Sequence, residues 1–99
     1  MKYKIIDENE VLEKLFKNYE LRYLRESLYH PDPDMDAGVD FYIISYYDED
    51  EYLGEYILRL DSLESEVVGL KIYDFDGKEF YSEGYAWDEK WKLRKIGEE

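Results

Sequence analysis

The chain contains no cysteine, no threonine and no glutamine, and it has a single histidine, His30. Without cysteine, disulfide bonds, thiolate nucleophiles and zinc–thiolate sites are excluded. A histidine-assisted nucleophile would need His30 beside one of the five serines, and none of these stands in a Gly-x-Ser-x-Gly setting. No glycine-rich phosphate loop is found, and pairs of carboxylates carry no information among 26 acidic residues. The sequence therefore predicts a protein that is not an enzyme and has no cofactor.

Long apolar runs are also absent. No segment approaches the roughly 20 apolar residues of a membrane span, and the first four residues do not begin a signal-peptide apolar stretch. The 99 residues suffice for one domain with its own core, so residues 1–99 are expected to form a single domain. These features predict a soluble, cytoplasmic protein, in the host cell if the chain is viral.

The middle of the chain has almost no positive charge. Between Asp32 and Glu66 there are twelve carboxylates and one base, Arg59, which gives a local charge of −11 within a total of −13. Solubility of a small domain needs a net charge of only roughly 2 to 8, and crowded like charges oppose the compact state. The excess therefore predicts a positively charged protein partner. Direct nucleic-acid binding is disfavoured, because such affinity comes largely from bases that neutralise phosphates.

An amphipathic helix is expected near the N-terminus. Asp7, followed by Glu10, has the spacing of a capping box. The apolar residues after it recur with helical spacing, and they are Val11, Leu12, Leu15, Phe16 and Tyr19. We predict that the helix stops near Asn18, which tolerates a left-handed C-cap, and that residues 20–29 form a strand. The alternative is a helix that continues to Leu28.

The rest of the chain is rich in aromatic and β-branched residues, which favour strands. Strands are expected at residues 39–47, 52–60, 67–73 and 80–87, with turns at 48–51 and 74–78, a break at 61–65, and a strand or short helix at 91–96. The Asp76-Gly77 pair in the second turn is typical of hairpins. The predicted fold is α+β, with the N-terminal helix packed on an antiparallel sheet of about five strands.

Two kinds of residue are candidates for binding the partner. Carboxylates would contact its Lys and Arg side chains, and tyrosines would add rigid contact area with a hydroxyl group. The candidates are Asp32, Asp34, Asp36, Asp40, Asp48, Glu49, Asp50 and Glu51, with Tyr46, Tyr47 and Tyr52, and with Glu55, Asp61, Glu64 and Glu66 as support. Eleven net charges on one face would match on the order of 20 Å of duplex DNA.

Asp32-x-Asp34-x-Asp36 resembles the start of a calcium loop. The EF-hand pattern needs Gly at its sixth position and Glu at its twelfth, and here Ala37 and Ile43 stand there. The motif therefore fails and no metal site is predicted, although weak surface binding of a divalent cation is left open.

In composition and element order the chain is similar to small acidic inhibitors that viruses make against host defence. These include DNA mimics and anti-CRISPR proteins, with the nearest likeness to those of archaeal rod-shaped viruses. The likeness lies in the short helix Asn9–Phe16, the Tyr- and Glu-rich strands, and the tail Trp91–Ile96. It implies a non-enzymatic inhibitor that binds a nucleic-acid-binding defence effector, and it leaves a homodimer open. The alternatives are an immunity protein against a basic nuclease toxin, a viral structural or assembly protein, and an ion-binding protein.

Overall fold

The computed structural model describes residues 4–29 and 37–85, which contain one helix and five strands. Their bounds are α1 Glu8–Leu15, β1 Asn18–Tyr29, β2 Ala37–Asp48, β3 Glu51–Leu63, β4 Glu66–Tyr73 and β5 Glu79–Gly84. Each strand pairs antiparallel with the next, so the sheet order is β1-β2-β3-β4-β5. The predicted helix and antiparallel sheet are confirmed. The α+β class fits only roughly, because the helix is short and the fold is mainly β. The segment predicted at 91–96 lies outside the described residues.

Helix α1 begins where the sequence places its cap. A side-chain oxygen of Asp7 accepts hydrogen bonds from the backbone N–H groups of Asn9 and Glu10, at 3.1 and 3.3 Å. The helix ends at Leu15, and Phe16 is extended, with φ −129° and ψ 131°. The alternative of a longer helix is therefore wrong. Asn18 begins β1 and does not serve as a left-handed cap.

One face of the sheet packs against α1, and we call it the helix face. Leu12 of the helix and Phe16, which directly follows it, are buried against apolar side chains that alternate along the strands, as expected for a sheet with one covered face. The sheet residues in this cluster are Ile44, Leu58, Leu60, Leu70 and Ile72. Burial of each such side chain contributes about 1.5–3 kcal/mol relative to exposure. Val11 and Leu15 of the helix pack at the margin of this cluster, and so does Tyr19 of β1. The predicted helix stripe is therefore confirmed for Val11, Leu12 and Leu15, whereas Phe16 and Tyr19 lie beyond the end of the helix.

The opposite face of the sheet, which we call the second face, is buried along β2, β3 and β4. Phe41, Arg59 and Asp61 are fully buried there, and Tyr73 is almost so. The break expected at 61–65 is wrong for its first three residues, because β3 continues to Leu63. A charged residue inside a strand looks like an interruption, but Asp61 forms an ion pair with Arg59, which precedes it by two residues on the same face.

Two tight turns close the last two hairpins. Glu64 and Ser65 link β3 to β4 with φ values of 53° and 71°, the left-handed backbone of hairpin turns. In the β4–β5 turn, a side-chain oxygen of Asp74 accepts from the backbone N–H groups of Asp76 and Lys78, and Gly77 has a φ of 88°. The prediction of an Asp-Gly turn is confirmed.

Candidate functional site: the acidic hairpin tip

The β2–β3 hairpin ends in four consecutive carboxylates, which we call the acidic tip: Asp48, Glu49, Asp50 and Glu51. All four are exposed. Asp48 pairs with Glu51, and the two residues between them form the turn. The last residue of β4 pairs with Ile57, six positions beyond the start of β3. The hairpin therefore extends well past β4, and the tip stands at one end of the sheet.

No ion pair involves the acidic tip within residues 4–29 and 37–85. The one base of the acidic middle segment, Arg59, is buried with Asp61 and does not reach the tip. Glu49 has a φ of 57°, a left-handed conformation that favours glycine or asparagine. A carboxylate is thus held at a turn position where glycine would cost less.

Two of the candidate tyrosines flank the tip on the second face. The rings of Tyr47 and Tyr52 lie 5.8 Å apart in an edge-on arrangement. The hydroxyl of Tyr47 donates to Glu20 at 3.4 Å. Partial desolvation and the charge of Glu20 raise the pKa of Tyr47, and partial desolvation and the charge of Glu55 raise that of Tyr52. Both side chains are therefore neutral hydrogen-bond donors near neutral pH.

Tyr46 is not part of this surface. It lies on the helix face, half-buried, with its ring stacked on that of Tyr56 at 5.3 Å and tilted against Phe16 at 5.3 Å. Gly54, its partner across the strands, leaves room for this ring, because a Cβ there would come within 3.2 Å of the Tyr46 hydroxyl. The three tyrosines thus divide between two faces, and Tyr46 stabilises the aromatic cluster at the helix end.

Two further carboxylates lie near the tip. Glu20 comes from β1, which the pairing of Asn18 with Tyr47 brings alongside the hairpin. Glu55 accepts a hydrogen bond from Ser45 at 3.2 Å on the same second face. Glu55 is one of the supporting residues that the sequence indicates. The sequence does not indicate Glu20 as a site residue, because its position depends on the register between β1 and β2, and no local sequence pattern predicts that register.

A shallow cavity of about 330 Å³ opens beside the tip. Its walls come from β1 and from the β2–β3 hairpin, and they are Asn18, Tyr19, Glu20, Tyr47, Glu49 and Asp50. Three carboxylates and two phenol rings make this cavity suitable for a long cationic side chain, because the stem can pack on the rings while the charge meets the carboxylates.

The other candidate residues lie elsewhere. Glu64 and Glu66 are exposed at the opposite end of β3, roughly 40 Å from the tip at about 3.3 Å per strand residue. Asp61 is fully buried, so its expected contact with a partner is wrong. Asp40 lies on the helix face and accepts a hydrogen bond from the Tyr23 hydroxyl at 3.1 Å. The carboxylates of the middle segment therefore do not share one face.

The calcium-like residues Asp32, Asp34 and Asp36 lie outside the described residues. Within the described parts of the chain, no group of three or more His, Asp or Glu side chains is arranged to hold a metal ion. The helix found there is too short and too polar to cross a membrane.

Comparison of the chain with protein-family models, with curated proteins and with solved structures gives no match. Function is therefore inferred from the geometry and charge of the site itself.

Proposed function

We propose that this chain is a non-enzymatic inhibitor whose acidic tip binds a basic, nucleic-acid-binding surface of a host defence protein, in the manner of DNA mimics and anti-CRISPR proteins. The supporting observation is the projection of four exposed carboxylates past β4 with no ion pair to any described residue. Like charges held together in this way destabilise a free protein, and a cationic partner relieves that repulsion.

The surface around the tip suits a protein partner in a second respect. Tyr47 and the half-exposed Tyr52 stand next to the carboxylates with their hydroxyl groups neutral. Rigid aromatic side chains beside charges are typical of binding surfaces, because they bury area at a small cost in conformational entropy. The cavity between β1 and the hairpin would receive one Lys or Arg side chain of the partner.

The size of this charged surface limits what it can imitate. Four tip carboxylates together with Glu20 and Glu55 match on the order of 10 Å of duplex, at one charge per roughly 1.7 Å. The tip would therefore occupy part of a phosphate-binding groove and not a whole cleft. Electrostatic steering speeds the association of such partners, and their affinity falls as salt rises. We expect this binding in the cytoplasm of the host cell.

The proposal is tested in two stages. The immobilised chain is incubated with host lysate at low salt, bound proteins are eluted with rising salt, and they are identified by mass spectrometry. The recovered partner is then purified, and its affinity for the chain is measured with increasing amounts of short duplex DNA or single-stranded RNA. We expect nucleic acid to displace the chain. A partner that binds the chain equally well when saturated with nucleic acid would contradict the decoy mechanism.

The identity of the partner separates the proposal from the immunity-protein alternative. A defence effector that binds guide or target nucleic acid supports the inhibitor. A nuclease toxin, bound through the same tip, would replace the host-defence part of the proposal and leave the binding surface unchanged.

A further inference from the structure

The two edges of the sheet differ in how they are protected. An edge strand exposes unpaired N–H and C=O groups, and proteins usually guard it with short length, bulges, proline or charge, especially lysine. At one edge, β5 has six residues and an irregular pairing with β4. At the other, β1 has twelve residues. Among the described residues β1 pairs only with β2, and this pairing is regular from Asn18 to Leu24.

Of the features that protect edge strands, the regularly paired part of β1 has only two charged side chains. It contains no proline, lysine or glycine. Leu21 and Tyr23 are exposed on the helix face, at 39% and 44%. Glu20 and Arg22 are exposed on the second face, and neither forms an ion pair with a described residue. This segment therefore presents a hydrophobic row on one face and one charge of each sign on the other.

We propose that β1 pairs antiparallel with β1 of a second copy of this chain, about a two-fold axis at Leu21. In this register Glu20 lies opposite Arg22 of the second copy, and Arg22 lies opposite Glu20 of the second copy. On the helix face Leu21 meets its own counterpart, and Tyr19 meets Tyr23. Both faces are then complementary, since opposite charges and apolar or aromatic pairs are the favourable cross-strand neighbours.

The charges also select this register against its neighbours. If the two-fold axis passes through Arg22 instead, Arg22 lies opposite Arg22 of the second copy. If it passes through Glu20, Glu20 lies opposite Glu20 of the second copy. Like charges directly opposite each other are destabilising, so only the axis at Leu21 pairs opposite charges within the regular segment. The interface is isologous, as in most homodimers.

The dimer does not rest on the function proposed for the acidic tip, although Glu20 belongs both to the dimer interface and to the cavity beside the tip. An antiparallel pairing of the two β1 strands continues the sheet to ten strands and points the two acidic tips toward opposite ends. The four carboxylates of each acidic tip therefore stay accessible in the dimer.

The experiment uses charge swaps at exposed positions of the full chain. Wild type, Glu20→Arg and Arg22→Glu are examined by sedimentation equilibrium over a wide range of protein concentration. We expect wild type to dimerise and each single variant to bind itself about tenfold or more weakly, because like charges then face each other twice per interface. Glu64→Arg serves as the control, since it changes charge as Glu20→Arg does but lies at the β3–β4 turn.

The decisive sample is an equimolar mixture of Glu20→Arg and Arg22→Glu chains. In the proposed register the two positive side chains of the first variant lie opposite the two negative side chains of the second. The mixture should therefore form heterodimers with affinity close to that of the wild-type dimer. A monomeric wild type at every concentration would overturn the proposal. So would a dimer that neither swap weakens, or single-variant losses that mixing does not restore.

Discussion

Arg59 and Asp61 form a bidentate ion pair inside the protein, with Nε 2.9 Å from Oδ1 and Nη2 2.9 Å from Oδ2. Both side chains are fully buried. Desolvation by itself lowers the pKa of Arg59, but the hydrogen bonds and charge interactions with Asp61, and to a smaller extent with Tyr73, together outweigh it and raise that pKa above its ordinary value. The guanidinium is therefore held charged in the interior, where it pairs with Asp61 and not with a carboxylate of the acidic tip.

Asp61→Ala should destabilise the fold strongly, because it removes the carboxylate from a buried guanidinium. Breaking a buried pair by removing one partner costs about 3–5 kcal/mol. The free energy of unfolding, measured by urea denaturation, should fall by that order. Glu64→Ala, at an exposed position three residues further on, is the control and should change it little. Similar small losses for the two variants would contradict the importance of the pair.

Gly69 should tolerate no side chain. It pairs with Gly84 across β4 and β5, and a Cβ on Gly69 would lie 1.7 Å from the backbone carbonyl oxygen of Tyr85. Gly69→Ala must therefore move backbone, and we expect a loss of several kcal/mol, at the upper end of the range for point substitutions. Gly54→Ala is the matched control. Its Cβ would come no closer than 3.2 Å to the Tyr46 side chain and would meet no backbone atom that closely, so thermal unfolding should shift much less.

Glu49→Gly should stabilise the chain and weaken partner binding together. Glycine relieves the left-handed backbone at φ 57°, which is worth about 1 kcal/mol for a non-glycine residue. Ser65→Gly, at φ 71° in the turn at the other end, should bring a similar gain without affecting the partner. Urea denaturation and a binding assay on both variants check this. Loss of binding with Ser65→Gly, or none with Glu49→Gly, would contradict the placement of the site.

The fold should lose stability in alkali. Desolvation and nearby carboxylates raise the pKa of several tyrosines, among them Tyr19, Tyr42, Tyr47 and Tyr52. The unfolded chain releases phenolic protons near pH 10, and the folded chain does so only at higher pH. The stabilisation is complete below about pH 10 and is lost as pH rises through the folded-state values. Phenolate absorbance and urea midpoints test this, and tyrosines that titrate normally in the folded protein would contradict it.

The sequence contains the local features of this fold. Asp7 marks the helix start, the apolar stripe marks its buried face, and Asp74 to Gly77 mark the last hairpin. Asp61 is misleading, because a carboxylate after an apolar run looks like a break. The spacing of two between Arg59 and Asp61 is the available signal, since residues two apart share a face of a strand.

The candidate site is only partly predictable. Four adjacent carboxylates in a hairpin turn are found from sequence alone. Glu20 lies near them only because of the register between β1 and β2, which the sequence does not reveal. Tyr46 lies on the other face of the sheet, because side chains alternate between the two faces along a strand. The described carboxylates of the middle segment do not lie on one face, and the reason is the length of the strands. The strands β2 and β3 are twelve and thirteen residues long, so carboxylates at opposite ends of these strands lie far apart.

The comparison of two charge reversals tests the proposed site most directly. Glu49→Lys/Asp50→Lys and Glu64→Lys/Glu66→Lys change the net charge equally, and both pairs are exposed at or beside a two-residue turn, but at opposite ends of β3. Binding to the purified partner is measured at low salt. We predict that the tip variant binds at least roughly tenfold more weakly, since close charge pairs carry about 1.4 kcal/mol or more, and that the other binds nearly as wild type does. Equal losses for the two variants would contradict the placement of the binding surface at the acidic tip.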